Sequence, residues 1–225
     1  MSHQELNIQL FISTQCPHCA STLELLSTAI KQGTFSQLSI TNISAATKLD
    51  AYSHIRSVPH TQVNNFEFTG TITTADIKQW DEAAKQGAFE KYYIEYLLSN
   101  GKLIPAEKLI QQESAFWLIL VELIENHDTK MQVRIGISSI FETLSSGLLT
   151  SDHSDAVIQR LMQAISNTDN SIRVDLIYLL SLIFTEMKHD ADLYSKLCNF
   201  LRLLLTDPSE EVKEIIYDVL QAEPG

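Results

Sequence analysis

A candidate for covalent chemistry in this chain is the C-x-x-C motif Cys16-Pro17-His18-Cys19. Two cysteines separated by two residues bring their sulfur atoms into bonding range on a first helical turn. Cys16 would then lie at the helix N-terminus, where free backbone N–H groups and the helix dipole stabilise a thiolate. Cys19, one turn further, would be buried and able to resolve a mixed disulfide. The motif predicts thiol–disulfide exchange, with Cys16 and Cys19 as catalytic residues and Pro17 and His18 tuning their reactivity.

A pair of cysteines at this spacing can also form half of a zinc site. A complete site needs a second pair of good ligands. The third cysteine, Cys198, lies in an apolar helical stretch typical of a buried side chain. His18 and His60 alone make a poor ligand set, and the sequence therefore predicts neither a metal site nor a cofactor.

The segments around the motif predict a βαβ unit followed by a ββα unit. Apolar and polar residues alternate over 6–12 as in a strand, and helical spacing begins at Cys19, with Pro17 in the first turn of that helix. A second strand over 38–43 would be parallel to the first. The remaining expected elements are a short helical piece around 46–55, a hairpin over 61–68 with its turn near Asn64-Asn65, and a helix capped by Thr73 or Thr74.

The C-x-x-C motif combined with Val58-Pro59, and with Gly70 just beyond, resembles the thioredoxin/glutaredoxin superfamily. Residues 57–64 are most similar to its small glutaredoxin-like domains, and the resemblance covers about residues 5–86. It implies an α/β thioredoxin-like domain with a cis proline that faces the cysteines. It also implies that the backbone before this proline pairs with an extended substrate. Val58, Pro59 and the adjacent His60, expected at the rim, are the predicted substrate-binding residues.

Some positions differ from the superfamily's usual pattern. Leu10 stands where thioredoxins carry an acidic proton relay, six positions before the first cysteine, and Gln15 stands where they carry Trp. Ser57 and the single Gly70 replace the Thr and the Gly-Gly pair of most glutaredoxins, which argues against the use of glutathione. The Pro-His dipeptide between the cysteines is similar to that of strongly oxidising periplasmic members of the superfamily. This resemblance implies that His18 stabilises the Cys16 thiolate.

The pattern is helical from Phe89 onward, with helices expected near 88–99, 105–112, 114–126, 130–146, 155–166, 171–187, 191–206 and 209–221. Val133-Arg134, Ile172-Arg173 and Val212-Lys213 each open a helix after an Asp-containing turn, at intervals of 39 and 40 residues. Two helices in about 40 residues are typical of HEAT or armadillo repeats. We predict an all-α carboxy-terminal domain, a HEAT-like α-solenoid of about three to four helix pairs, with an irregular helical bundle as the alternative. The leucine-rich stripes, Leu203 included, are expected in its core.

Composition and charge limit the partners. The chain has a net charge of −12, and residues 151–225 alone carry 6 Lys/Arg against 13 Asp/Glu. This balance argues against nucleic acid and anionic membrane as partners, because both reward clustered cations. The chain contains no run of about 18 apolar residues, the first residues lack a signal-peptide pattern, and three cysteines are too few for a disulfide scaffold. We expect a cytoplasmic protein.

These features lead to two domains, 1–86 and 87–225, and to one leading hypothesis. The first domain would be a thiol–disulfide oxidoreductase that acts on protein disulfides, re-reduced by a possible reductase donor. The helical domain would select a protein substrate or redox partner, since stacked repeats present long binding surfaces. The alternative is a non-catalytic protein-binding adaptor with a redox-sensing thioredoxin-like module. A third hypothesis, a peroxide- or glutathione-dependent enzyme, predicts a glutathione affinity that Gly70 does not favour.

Overall fold

The structure is a computed structural model that describes residues 5–45, 52–149, 154–167, 170–186, 191–207 and 209–221. The chain divides into two compact units, Met1–Tyr93 and Ile94–Gly225. The division falls within a helix that runs from Phe89 to Ser99. The expected domain boundary between residues 86 and 87 stays a prediction.

The first unit is built on a four-stranded mixed sheet. Its strands are β1 (Asn7–Ile12), β2 (Gln37–Asn42), β3 (His60–Val63) and β4 (Phe66–Thr69), in the spatial order β2-β1-β3-β4. β1 and β2 are parallel, whereas β3 pairs antiparallel with both β1 and β4. The helices of this unit are α1 (Cys19–Lys31), between β1 and β2, and α2 (Thr74–Gln86), after β4. The predicted order, βαβ and then ββα, is confirmed.

Local sequence explains where these elements turn and begin. The β3–β4 hairpin turns at Asn64-Asn65 as predicted, and Asn64 has a φ of 52°, a conformation that asparagine tolerates better than most residues. Thr73 caps α2: its hydroxyl accepts a hydrogen bond from the Asp76 N–H, and the Asp76 carboxylate accepts one from the Thr73 N–H. Ile43–Ala45 form a short 3-10 helix. Most of the helical piece expected over 46–55 lies outside the described residues.

Aromatic side chains fill the core of the first unit on the side of the sheet that α2 covers. The Phe68 ring lies 4.7 Å from the Trp80 ring and 5.2 Å from the Tyr93 ring, measured between centroids. The Tyr93 hydroxyl donates a hydrogen bond to the Glu67 carbonyl of β4. Burial of these large rings supplies much of the unit's hydrophobic stabilisation.

The second unit is helical throughout its described residues. After α3 (Phe89–Ser99) come α4 (Leu103–Gln112), α5 (Phe116–Glu125), α6 (Met131–Leu149), α7 (Ser154–Asn167), α8 (Asn170–Glu186), α9 (Ala191–Leu204) and α10 (Glu210–Gln221). Every helix predicted after residue 88 is confirmed. Alternate helices form layers, since α4 contacts α6, α6 contacts α8 and α8 contacts α10, while α5 contacts α7. Each of α5, α7 and α9 also packs against the helix that follows it.

The repeated apolar positions lie in the core of this second unit. Val133, Ile172 and Val212, which open α6, α8 and α10, are all buried, as is Cys198. The prediction for Leu203 is wrong, because its side chain is 71% exposed. Leu203 follows the fully buried Leu201 by two residues, which is about 200° around a helix. Consecutive leucines point in different directions around α9, so the leucine run includes positions outside the buried stripe of the helix.

No helix in the described part of the chain is long and apolar enough to span a membrane.

Candidate active site

The C-x-x-C motif lies in the turn between β1 and α1. The Cys16 N–H donates a hydrogen bond to the Ser13 carbonyl at 3.2 Å, and the Cys19 N–H donates one to the Cys16 carbonyl at 3.3 Å. Cys16 is half-buried and Cys19 is 4% exposed. All three cysteines of the chain are thiols. The turn thus presents one sulfur toward solvent and keeps the second beneath it.

The helix begins later than the sequence suggested. α1 starts at Cys19, with His18 as its N-cap residue, and Pro17 precedes the helix instead of occupying its first turn. The reason is the hydrogen bond from the Cys19 N–H to Cys16, which spans three residues and closes a separate turn. Pro17 and His18 are both exposed at the surface of this turn. They border the Cys16 thiol without covering it.

The two thiols differ in acidity for identifiable reasons. The hydrogen bond from the Cys19 thiol lowers the pKa of Cys16, and the backbone N–H groups of His18 and Cys19 act in the same direction. Burial raises the pKa of Cys19, and its hydrogen bond to Cys16 raises that pKa further. A thiolate is the nucleophilic form of cysteine. Cys16 is therefore the more easily activated of the two thiols.

The loop before β3 faces the motif. The Val58–Pro59 peptide bond is cis, as the family resemblance implied. The Cys16 thiol donates a hydrogen bond to the Val58 carbonyl, with sulfur and oxygen 3.3 Å apart. The Pro59 carbonyl accepts a hydrogen bond from the Gly70 N–H at 3.0 Å, which ties the loop to the end of β4. Two segments 42 residues apart in sequence thus meet at one sulfur atom.

His60 is not at the rim where the sequence placed it. Its side chain is 4% exposed, and its ring meets the Phe11 ring edge-on at 5.7 Å. The His60 Nε2 lies 3.9 Å from a carboxylate oxygen of Glu67. β3 is flanked by β1 and β4, and both faces of the sheet are covered there, so His60 and its neighbour Thr61 are both buried. Phe11 and Glu67, which sequence reasoning missed, are neighbours of His60 and carry no motif of their own.

The position of the usual acidic relay is apolar. Leu10 is fully buried in β1 and pairs with Thr61 of β3. The Thr61 hydroxyl is also buried, without a hydrogen-bond partner among the described residues. A hydroxyl group titrates far above neutral pH, so neither side chain can replace a carboxylate as a proton acceptor.

Within the described residues, no group of three or more His, Cys, Asp or Glu side chains is arranged to hold a metal ion.

The opposed acidities of the cysteines predict a pH profile. We expect iodoacetamide to alkylate Cys16 with a midpoint at lower pH than for an unstructured cysteine peptide, because only the thiolate reacts. Cys19→Ala removes the strongest hydrogen-bond donor to that thiolate, so the midpoint should move to higher pH. Mass spectrometry of the peptide that contains Cys16 measures the rate at each pH. Cys198→Ala is the control, and an unchanged midpoint in Cys19→Ala would contradict the assigned cause.

The match to a known protein family lies within the first unit. The family described as Thioredoxin domain matches residues 6–82. No curated protein matches the chain significantly. The matched range contains all four strands, α1, the cysteine motif and the cis proline, and it ends inside α2. The amino-terminal unit is therefore a thioredoxin-like domain, followed by an all-helical region.

Proposed function

We propose that this protein is a thiol–disulfide oxidoreductase that acts on protein disulfides. The observation that carries the proposal is the arrangement of the two thiols. Cys16 is accessible and has a lowered pKa, whereas Cys19 is buried and has a raised pKa. An attacking thiol needs accessibility and thiolate character, and a resolving thiol needs only proximity.

The reaction in the reducing direction has two steps. The Cys16 thiolate attacks one sulfur of a substrate disulfide, which forms a mixed disulfide and releases the other substrate sulfur as a thiolate. Cys19 then loses its proton and attacks the Cys16 sulfur, which forms the Cys16–Cys19 disulfide and releases the second substrate thiolate. Two electrons pass to the substrate, and a reductase donor returns the motif to the dithiol. The oxidising direction is the reverse of these steps.

The residues around the sulfur atoms take supporting roles in this proposal. Pro17 and His18 tune the reduction potential from their exposed positions in the turn. Val58 and Pro59 present backbone to an extended substrate beside Cys16, and the 3.3 Å contact between the Cys16 sulfur and the Val58 carbonyl supports this role. His60 contributes through packing under the loop, since its ring is buried.

The helical unit is proposed to be a HEAT-like arm that recruits a protein partner. Layered packing supports this assignment, as does the recurrence of an arginine near the start of α6 and of α8. Arg134 of α6 pairs with Asp175 of α8, and Arg173, 39 residues after Arg134, pairs with Asp207 in the turn between α9 and α10. Each of these pairs links one helix pair to the next. We place the protein and its partner in the cytoplasm.

A protein-binding adaptor with a redox-sensing module is the second candidate. The apolar Leu10 at the relay position and the family match limited to residues 6–82 favour it. The two functions differ in what Cys16 does for partner binding. An adaptor keeps its partner without Cys16, whereas a catalyst loses its covalent intermediate.

Trapping of the mixed disulfide separates these candidates. Cys19→Ala cannot complete the second step, so we expect a model disulfide protein to remain attached to Cys16 as a band that dithiothreitol removes on gels. The control Cys16→Ser, Cys19→Ala should give no such band. Absence of the band with Cys19→Ala, together with equal non-covalent co-elution of the disulfide protein with both variants, would contradict the oxidoreductase and favour the adaptor.

A further inference from the structure

The layer formed by α4, α6, α8 and α10 exposes several large apolar side chains on its side away from the core. These helices contact one another in succession, and α5, α7 and α9 pack on them. The chain has seven exposed large apolar side chains among its described residues, and five lie on this layer, with exposed fractions from 39% to 71%. They are Ile104 of α4, Met131 and Ile135 of α6, Tyr178 of α8 and Tyr217 of α10. We call this side, defined by these five residues, the open face.

The open face has two chemically different ends. Ile104, Met131 and Ile135 make the end at α4 and α6 aliphatic. Tyr178 and Tyr217 lie at the other end, on α8 and α10. The repeat interval from α8 to α10 is 40 residues, as from Ile172 to Val212, so Asp218 takes the position equivalent to Tyr178 and Tyr217 lies one residue before it.

Carboxylates surround the two tyrosines. The Tyr178 hydroxyl donates a hydrogen bond to a Glu142 carboxylate oxygen at 2.6 Å, which joins α8 to α6. Glu214 lies three residues before Tyr217, on the same side of α10, and Asp218 lies four residues after Glu214 and next to Tyr217 in sequence. All three carboxylate residues are exposed. A lysine or arginine whose stem lay on a tyrosine ring would therefore bring its charge next to a carboxylate.

The cations of these helices do not neutralise those carboxylates. Each of α6, α8 and α10 contains a single Lys or Arg. Each of these three cations forms an ion pair with another carboxylate: Arg134 with Asp175, Arg173 with Asp207, and Lys213, four residues before Tyr217, with Glu210. Glu142, Glu214 and Asp218 take part in none of these ion pairs. The tyrosine end of the open face is thus negatively charged, which favours a positively charged ligand.

We propose that the open face binds a protein segment that is apolar at one end and rich in Lys and Arg at the other. Packed helices lie about 8–10 Å apart, so crossing four of them takes about 24–30 Å. An extended chain covers this distance with about eight or nine residues at ~3.3 Å each. The inference rests on the proposed role of the helical unit in recruiting a partner, and it specifies the chemistry of that partner.

Synthetic peptides test the proposal on the full chain. The probe is a fluorescent peptide of about nine residues, with two Leu at one end and three Lys or Arg at the other, prepared in both directions. Anisotropy should show binding that weakens with added salt. The double variant Tyr178→Ala, Tyr217→Ala should weaken it about tenfold or more, because both ring surfaces are lost.

Leu203→Ala is the matched control, since Leu203 is an exposed large apolar side chain on α9, outside the open face. This variant should bind the peptide as the wild type does. Ile135→Ser should weaken binding of the same peptide, but not of one whose two Leu are replaced by Ser. Equal binding by wild type and the tyrosine double variant would overturn the proposal, and so would equal binding of a peptide with Glu in place of its cations.

Two further measurements distinguish failure of the open-face proposal from failure of the proposed redox function, and distinguish peptide binding from self-association. Cys16→Ser should bind the peptide unchanged, and the tyrosine double variant should still reduce a small-molecule disulfide. If Cys16→Ser retains reductase activity while peptide binding depends on the tyrosines, the redox proposal fails and the open face stands. If sedimentation shows a dimer that the double variant disperses, a second copy of the chain covers this face and the peptide proposal fails.

Discussion

Cys16→Ser should lower the rate of protein disulfide reduction by about a thousandfold or more, the scale of loss seen when an enzyme's nucleophile is removed. A serine hydroxyl stays protonated at neutral pH, so the hydrogen bonds that lower the pKa of Cys16 have no thiolate to stabilise. Serine is close to cysteine in size, so the substitution at this half-buried position should cost little packing. The rate with a model disulfide protein, followed under excess dithiothreitol, measures the loss.

Cys198→Ala is the matched control for that variant. Cys198 is a buried thiol in α9 of the helical unit and is not part of the motif. The control should retain the wild-type rate, because Ala replaces a small apolar side chain without adding a polar group. A Cys16→Ser protein with more than a tenth of the wild-type rate would place the nucleophile elsewhere.

Phe68→Ala should destabilise the thioredoxin-like unit by about 3–5 kcal/mol, the usual cost of removing a buried aromatic ring. Phe68 is 2% exposed and its ring touches those of Trp80, Phe89 and Tyr93. Its removal opens a cavity between β4 and α2. Phe68→Leu keeps part of the volume and should lose less.

The position of the two tryptophans makes this loss measurable. Trp80 lies in the first unit and Trp117 in the second. In a Trp117→Phe background, fluorescence during urea unfolding reports on Trp80 and hence on the first unit alone. Glu67→Ala, a half-exposed neighbour of Phe68 on β4, is the control and should change the free energy of unfolding by less than about 0.5 kcal/mol. A similar loss in both variants would contradict the packing role of Phe68.

Much of this fold could be predicted because local signals and tertiary structure agree. Thr73 with Asp76 marks the start of α2, and Asn64-Asn65 marks the hairpin turn. The recurrence from Val133 to Ile172 marks the starts of α6 and α8. These signals act over a few residues, or repeat at a fixed interval, so they can be recognised without knowing the core. The cysteine motif is recognisable for the same reason.

The features that could not be predicted depend on long-range contacts. Whether His60 is buried depends on strands that pair on both sides of β3, and alternation along one strand cannot show that both faces are covered. Leu203 is exposed because α9 buries only one stripe of its surface. The contact between Cys16 and the Val58 carbonyl joins loops that no spacing rule connects. Active-site geometry is therefore less readable from sequence than the elements that hold it.

If a polypeptide docks at the Val58 carbonyl, as proposed, the hydrogen bond from the Cys16 thiol to that carbonyl would couple proton release to docking. A protonated Cys16 occupies the same acceptor that an extended peptide would use for its own N–H. A peptide that takes this acceptor removes a bond specific to the protonated thiol and draws the carbonyl's negative charge away from the sulfur. Both effects favour the thiolate, and by reciprocity thiolate formation strengthens docking by the same factor. The nucleophile would thus become most reactive when a polypeptide is already aligned beside it.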